Sequence, residues 1–150
     1  MMRVMVLVQA ETQGGAEQWD DSSAADDFEA MRRFNEVLVE AGVMLAGEGL
    51  APTSEGKRVR FDGQGSSSVV DGPFAEAKEV VGGYWIWQVS SMDEAVEWIR
   101  RAPFRGGTIE LRRVQEEADF ADILSPDALE AEARLREQIR QQRGADQSAG

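Results

Sequence analysis

The stretch Val69-Val70-Asp71-Gly72-Pro73-Phe74-Ala75-Glu76-Ala77-Lys78-Glu79 runs straight into Val80-Val81-Gly82-Gly83-Tyr84-Trp85-Ile86-Trp87, and it limits the fold more than any other part of the chain. Pro73 fixes its own φ and has no amide hydrogen. Gly72 before it is held extended yet can take angles closed to other residues, and Asp71 can bond forward to the turn backbone. A strand therefore ends at Val70 and a rigid corner follows. Beyond the corner, Glu76, Lys78 and Glu79 precede a strand that carries two tryptophans and a tyrosine. Such a block is either a ligand rim or an elaborate turn, and the residues alone favour neither.

Composition removes whole classes of chemistry. The 150 residues contain no cysteine and no histidine. Disulfides, zinc-thiolate sites and thiol nucleophiles are excluded, along with the commonest general base and transition-metal ligand. Catalysis would have to come from Asp, Glu, Lys, Arg, Tyr, Ser or backbone. A net charge of −12 repels polyanions, so no nucleic-acid partner is expected. The opening run from Met1 to Val8 is too short for a membrane span or a signal peptide. It reads as a first strand, and a cytoplasmic location is expected.

The pattern continues as alternating elements. Arg3 to Ala10 is apolar on both faces, a strand covered on two sides. Gln13 to Asp21 is a polar loop, and Ser22-Ser23-Ala24-Ala25-Asp26-Asp27 opens a helix reaching Ala41, with Met31, Phe34, Leu38 and Ala41 on one stripe and Gly42 ending it. A short strand covers Val43 to Ala46. Arg58 to Phe61 and Ser67 to Val70 form a hairpin about Asp62-Gly63. From Gly83 to Val89, Trp85, Trp87 and Val89 share one face and Tyr84, Ile86 and Gln88 the other. Ser91-Met92-Asp93-Glu94 is a capping box opening a second helix that Pro103 stops. Thr108 to Val114 is a last strand.

The order is that of an α+β, ferredoxin-like β-α-β-β-α-β domain, elaborated with a hairpin and carrying both helices on one face of a mostly antiparallel sheet. The domain is expected over residues 1–120, with a C-terminal helical extension over 121–143 and a disordered tail over 144–150. Ser125-Pro126-Asp127 opens that helix, whose thin stripe is Leu124, Ala128, Ala131, Leu135 and Ile139. The uncovered sheet face predicts a homodimer.

Three groups of residues are candidates for a site. Asp71, Glu76, Lys78 and Glu79 can rim a pocket floored by Trp85 and Trp87, with Phe74 beside them; equally, they can be a turn with surface ion pairs over a buried core. Glu48, between Gly47 and Gly49, is either a carboxylate aimed inward for acid–base work or a solvated residue at a strand end. Arg58 and Arg60 either clamp a carboxylate or form the solvent face of the hairpin. Among these, Asp71 and Glu48 are the catalytic candidates, and Arg60, Phe74, Lys78, Glu79, Trp85 and Trp87 the ligand-binding ones. No nucleotide-binding glycine pattern and no calcium-type acidic loop occurs, so neither cofactor nor metal is expected.

Asp71 to Glu79 followed by Gly82-Gly83-Tyr84-Trp85 resembles the signature of the DGPF-domain branch of YCII-related proteins. Asn35 to Leu38, Ala41 to Leu50, Arg58 to Phe61 and Asp93 to Trp98 are similar to that family as well. The resemblance implies a dimeric α/β-barrel type. Some relatives are enzymes built on a His-Asp pair with the histidine on the first helix; here Glu29 to Asn35 has no imidazole, so any acid or base would be Glu48 or Asp71, with Lys78 or Arg60 holding an anion. It implies a small organic anion or aromatic metabolite as ligand, or else a non-catalytic interaction protein linked to an extracytoplasmic-function sigma factor.

Overall fold

The computed structural model describes residues 1–13, 16–17, 24–74 and 77–148, which divide into two compact units, Met1–Val114 and Gln115–Gly150. In the first unit, β1 (Met2–Gln13) is followed by β2 (Ala16–Glu17), α1 (Ala24–Glu40), β3 (Met44–Gly49), β4 (Lys57–Phe61), β5 (Ser67–Asp71), β6 (Glu79–Val89), α2 (Met92–Ile99) and β7 (Thr108–Arg113). β6 lies between β1 and β3, and β7 and β2 both pair with β1; each of these pairs is antiparallel. This is the ferredoxin-like order, with the β4–β5 hairpin inserted between β3 and β6 as a small sheet of its own.

The period-two pattern of β6 becomes burial. Trp85, Trp87 and Val89 are buried, while Tyr84, Ile86 and Gln88 between them are half-buried. Register places Val4 opposite Trp87 and Val6 opposite Trp85, so β1 and β6 bring their apolar residues to the same face. Onto that face α1 lays Phe34 and Leu38, four residues and one turn apart. Trp87, Leu38, Val4, Val6 and Val89 are completely buried there. Burying side chains of this size stabilises by about 1.5–3 kcal/mol each.

Local chemistry ends the helices as their sequences require. Gly42 takes φ 71°, its amide donating to Val39 O at 3.0 Å and the Val43 amide to Leu38 O at 2.9 Å, which closes the last turn of α1. At α2 the Ser91 hydroxyl accepts from the Glu94 amide at 3.1 Å. The reciprocal arm differs from the expected box: the Glu94 carboxylate accepts from Ser90, by its amide at 2.5 Å and its hydroxyl at 2.6 Å. These bonds, the hydroxyl's first and then the amide's, lower the Glu94 pKa below the ordinary carboxylate value. Of the first loop, 14–15 and 18–23 lie outside the described residues, including the Ser22-Ser23 cap.

In the second unit, a 3₁₀ turn at Glu117–Phe120 precedes α3 (Pro126–Ser148). The helix faces that turn with Leu129, Ala133 and Arg136; Arg136 lies 3.8 Å from Glu116. Leu135 and Ile139, expected on the packing stripe, are 51% and 45% exposed. Helix also continues through Gly144 to Ser148, where composition predicts a disordered end. A single glycine costs a helix about 1 kcal/mol, and the Gln, Arg and Ala residues around it are favourable formers. Among the described residues no helix is long and apolar enough to cross a membrane.

Candidate functional site

The corner that dominates the sequence is built as a close backbone approach. The Gly72 amide donates to Gly56 O at 2.9 Å, and a Cβ at position 72 would lie 1.7 Å from Thr53 O, so only glycine fits. The Gly72-Pro73 peptide is cis. Asp71 pairs with Lys57 across the hairpin, two side chains that are 75% and 67% exposed, and among the described residues it makes no forward bond to the turn. Phe74 is half-buried beneath Arg58, whose guanidinium carbon stands 3.9 Å from the ring centre. Arg60, Lys78 and Glu79 are exposed. Residues 75 and 76 lie outside the described residues, and Glu76 with them.

One concavity of about 390 Å³ is bordered by Arg60 and Phe61 on the hairpin; another of ligand size lies away from the corner. A cleft of about 300 Å³ opens between α1 and the sheet, bordered by Met31 and Asn35 of α1, Val8 of β1, Gly47 to Gly49 of β3, Gly82 to Trp85 of β6, and Phe104 after α2. Glycines make it. A Cβ at Gly47 would lie 2.6 Å from Trp85 Cδ1, so the bare strand lets the indole lie against β3; a Cβ at Gly83 would lie 3.0 Å from Glu48 O. Trp85 is pinned on its other sides. Phe34 and Phe104 meet it edge-on, at centroid distances of 5.9 and 6.2 Å, and its Nε1 donates to Asn35 Oδ1 at 2.9 Å.

Of the candidates named from sequence, Trp85 and Glu48 border this cleft. Trp87 lies beneath it, tilted 38° against Trp85 and wholly buried in the core, where its Nε1 has no hydrogen-bond partner. Glu48 pairs in register with Tyr84, and Gly47 with Trp85, so the pleat turns the Glu48 side chain to the Tyr84 face, away from the indole. Asp71, Arg60, Phe74, Lys78 and Glu79 do not border the cleft. The charged corner therefore lies apart from the cleft that Trp85 walls; of the two readings left open from sequence, a rim over the tryptophans or a turn with surface ion pairs, the geometry of Asp71 and Lys57 is that of the turn.

Asn35, Met31 and Phe104 were not among the site candidates read from sequence. Asn35 carried a signal: it is a polar residue on the apolar stripe of α1, next to Phe34 and four positions after Met31. A carboxamide there needs a buried partner. Among the described residues no grouping of acidic side chains has metal-binding geometry.

An antiparallel ferredoxin-like sheet with two helices on one face, and a cleft between α1 and the sheet, defines an α+β domain. The chain matches the family model of the YCII-related domain over residues 2–118 and belongs to that family. It is 36% identical over 81 residues to an uncharacterised protein of Rhizobium meliloti (strain 1021), covering 54% of this chain and 62% of that protein. The match thus spans less than two thirds of the relative's length.

Proposed function

We propose that this chain, as a cytoplasmic member of the DGPF-domain branch, binds a small aromatic metabolite in the cleft between α1 and the sheet. The observation that carries the reading is Trp85, a ring held by Asn35 and two phenylalanines at the wall of a cavity of about 300 Å³. An apolar cavity with a small number of placed polar groups is the usual form of such a site. Of the two ligand classes open from sequence, the aromatic one suits this lining. Asp71 does not border the cleft that Glu48 borders, so binding, rather than acid–base catalysis by the pair, is the core of the proposal.

The test is a thermal-shift and tryptophan-emission screen against phenols, lactones and ring carboxylates. A ligand at a hundred times its dissociation constant stabilises by about 2.7 kcal/mol. A hit that moves tryptophan emission and is lost in Trp85→Leu supports the reading, and a blank across the panel removes it.

The sheet face opposite the helices carries Met5, Leu7, Ala46, Tyr84 and Ile86, all half-buried, and we infer that a second copy of the chain covers it. Light scattering at micromolar concentration is expected to give twice 16.5 kDa, and a monomer defeats this. A second reading, a non-catalytic interaction protein acting with a sigma factor, is favoured by the exposed Leu135 and Ile139 on α3. It predicts that Leu135→Glu abolishes partner capture while leaving the cleft's ligand binding unchanged.

A further inference from the structure

Resting on the reading of the cleft as a ligand site, we propose that Asn35 determines its specificity by selecting a neutral, planar ligand that bears a hydrogen-bond acceptor, such as a ring ketone or lactone, over the corresponding carboxylate. An indole N–H only donates. Its partner at 2.9 Å must therefore be the carboxamide oxygen of Asn35, and the orientation of the amide follows from that one bond. With the oxygen turned to the indole, the donor that Asn35 offers a ligand is its NH₂.

Trp85 is itself immobilised, by Phe34 and Phe104 edge-on and by the bare backbone of Gly47. The donor is thus held by a fixed ring. A ligand carbonyl oxygen satisfies it with one bond. A hydrocarbon of the same shape leaves the amide unpaired. A carboxylate meets no counter-charge, because among the described residues no Lys or Arg borders the cleft, and the chain's net charge of −12 opposes its approach. Arg60, the cation expected to clamp a carboxylate, stands on the exposed hairpin.

The experiment is isothermal titration calorimetry of the full chain with acetophenone, benzoate and ethylbenzene, which share a ring and differ in acceptor and charge. Acetophenone is expected to bind at least about tenfold more tightly than either of the others. In Asn35→Asp, which keeps an oxygen for the Trp85 N–H but removes the NH₂, acetophenone is expected to lose about tenfold and ethylbenzene to be unaffected. Benzoate binding as tightly as acetophenone overturns the proposal, as does an Asn35→Asp variant with unchanged acetophenone affinity. Equal binding of the three compounds overturns the selectivity and leaves the cleft a ligand site. No binding by any of them overturns both. Should the variant fail to fold, the three-ligand comparison on the natural chain decides alone.

Discussion

β6 and the β4–β5 hairpin are both antiparallel strand structures with alternating side chains, yet the molecule treats them oppositely. On β6 every second residue from Trp85 to Val89 is buried, and the tryptophans pack on α1 and on one another. On the hairpin Val59, Phe61 and Val69 are 52%, 81% and 62% exposed, on the same face as the Lys57–Asp71 pair. Alternation identifies a strand; what lies over its face is set by the neighbouring elements. Stability is therefore expected to concentrate in β6 and α1, with the charged corner contributing shape more than energy.

The sharpest way to break this contrast is Trp87→Ala. Removing a wholly buried aromatic leaves a cavity, and a loss of about 3–5 kcal/mol is expected in urea denaturation. A loss below about 1 kcal/mol would place the core elsewhere. Next in size is Gly72→Ala, since the added methyl must displace Thr53 O. A destabilisation of about 1–3 kcal/mol is expected, with faster amide exchange at Gly72 and in the hairpin while β6 stays protected. Spread of the faster exchange into β6 would show that the two regions unfold as one.

Asp71→Ala should do far less, because both members of its ion pair are exposed: about 0.2–1 kcal/mol, diminishing with added salt. A larger loss, insensitive to salt, would give Asp71 a role beyond the pair.

The smallest expected effect is a pH dependence from Glu94. Its carboxyl has a lowered pKa because the Ser90 hydroxyl and amide donate to it, so its contribution is present above the ordinary Glu value and fades as pH falls through the folded value. Glu94→Gln is expected to lower stability at neutrality and to change it little below the folded value, where the carboxyl is protonated, so that the profile flattens across that acidic window. A variant that shifts stability equally at all pH values would assign the effect to helix capping alone.

Element types were largely legible from local pattern. The stripe of Phe34 and Leu38, the two faces of β6, the Ser91 cap and the Asp62-Gly63 turn appear where their residues place them. These features depend on interactions within a few positions of the chain, so sequence spacing encodes them directly. The site was less legible. Trp85 could be found as an aromatic just after a glycine pair, but Asn35 could not be joined to it, because their bond spans 50 positions and exists only once α1 packs on the sheet. Glu48 was left open between an inward carboxylate and a solvated strand end for the same reason: its direction follows from register with Tyr84, which neighbours in sequence do not define.

By itself, the sequence determined the order of strands and helices, the rigid corner at Gly72-Pro73, and the exclusion of thiol and imidazole chemistry. All three follow from residue identity and short-range backbone preference. Only the tertiary structure decided that the corner and the tryptophan wall are separate, that Trp87 is core while Trp85 borders a cavity, and that Asn35 is the polar group beside it. Those facts depend on which face of β6 receives α1 and on how the strands register, and both are settled by long-range packing.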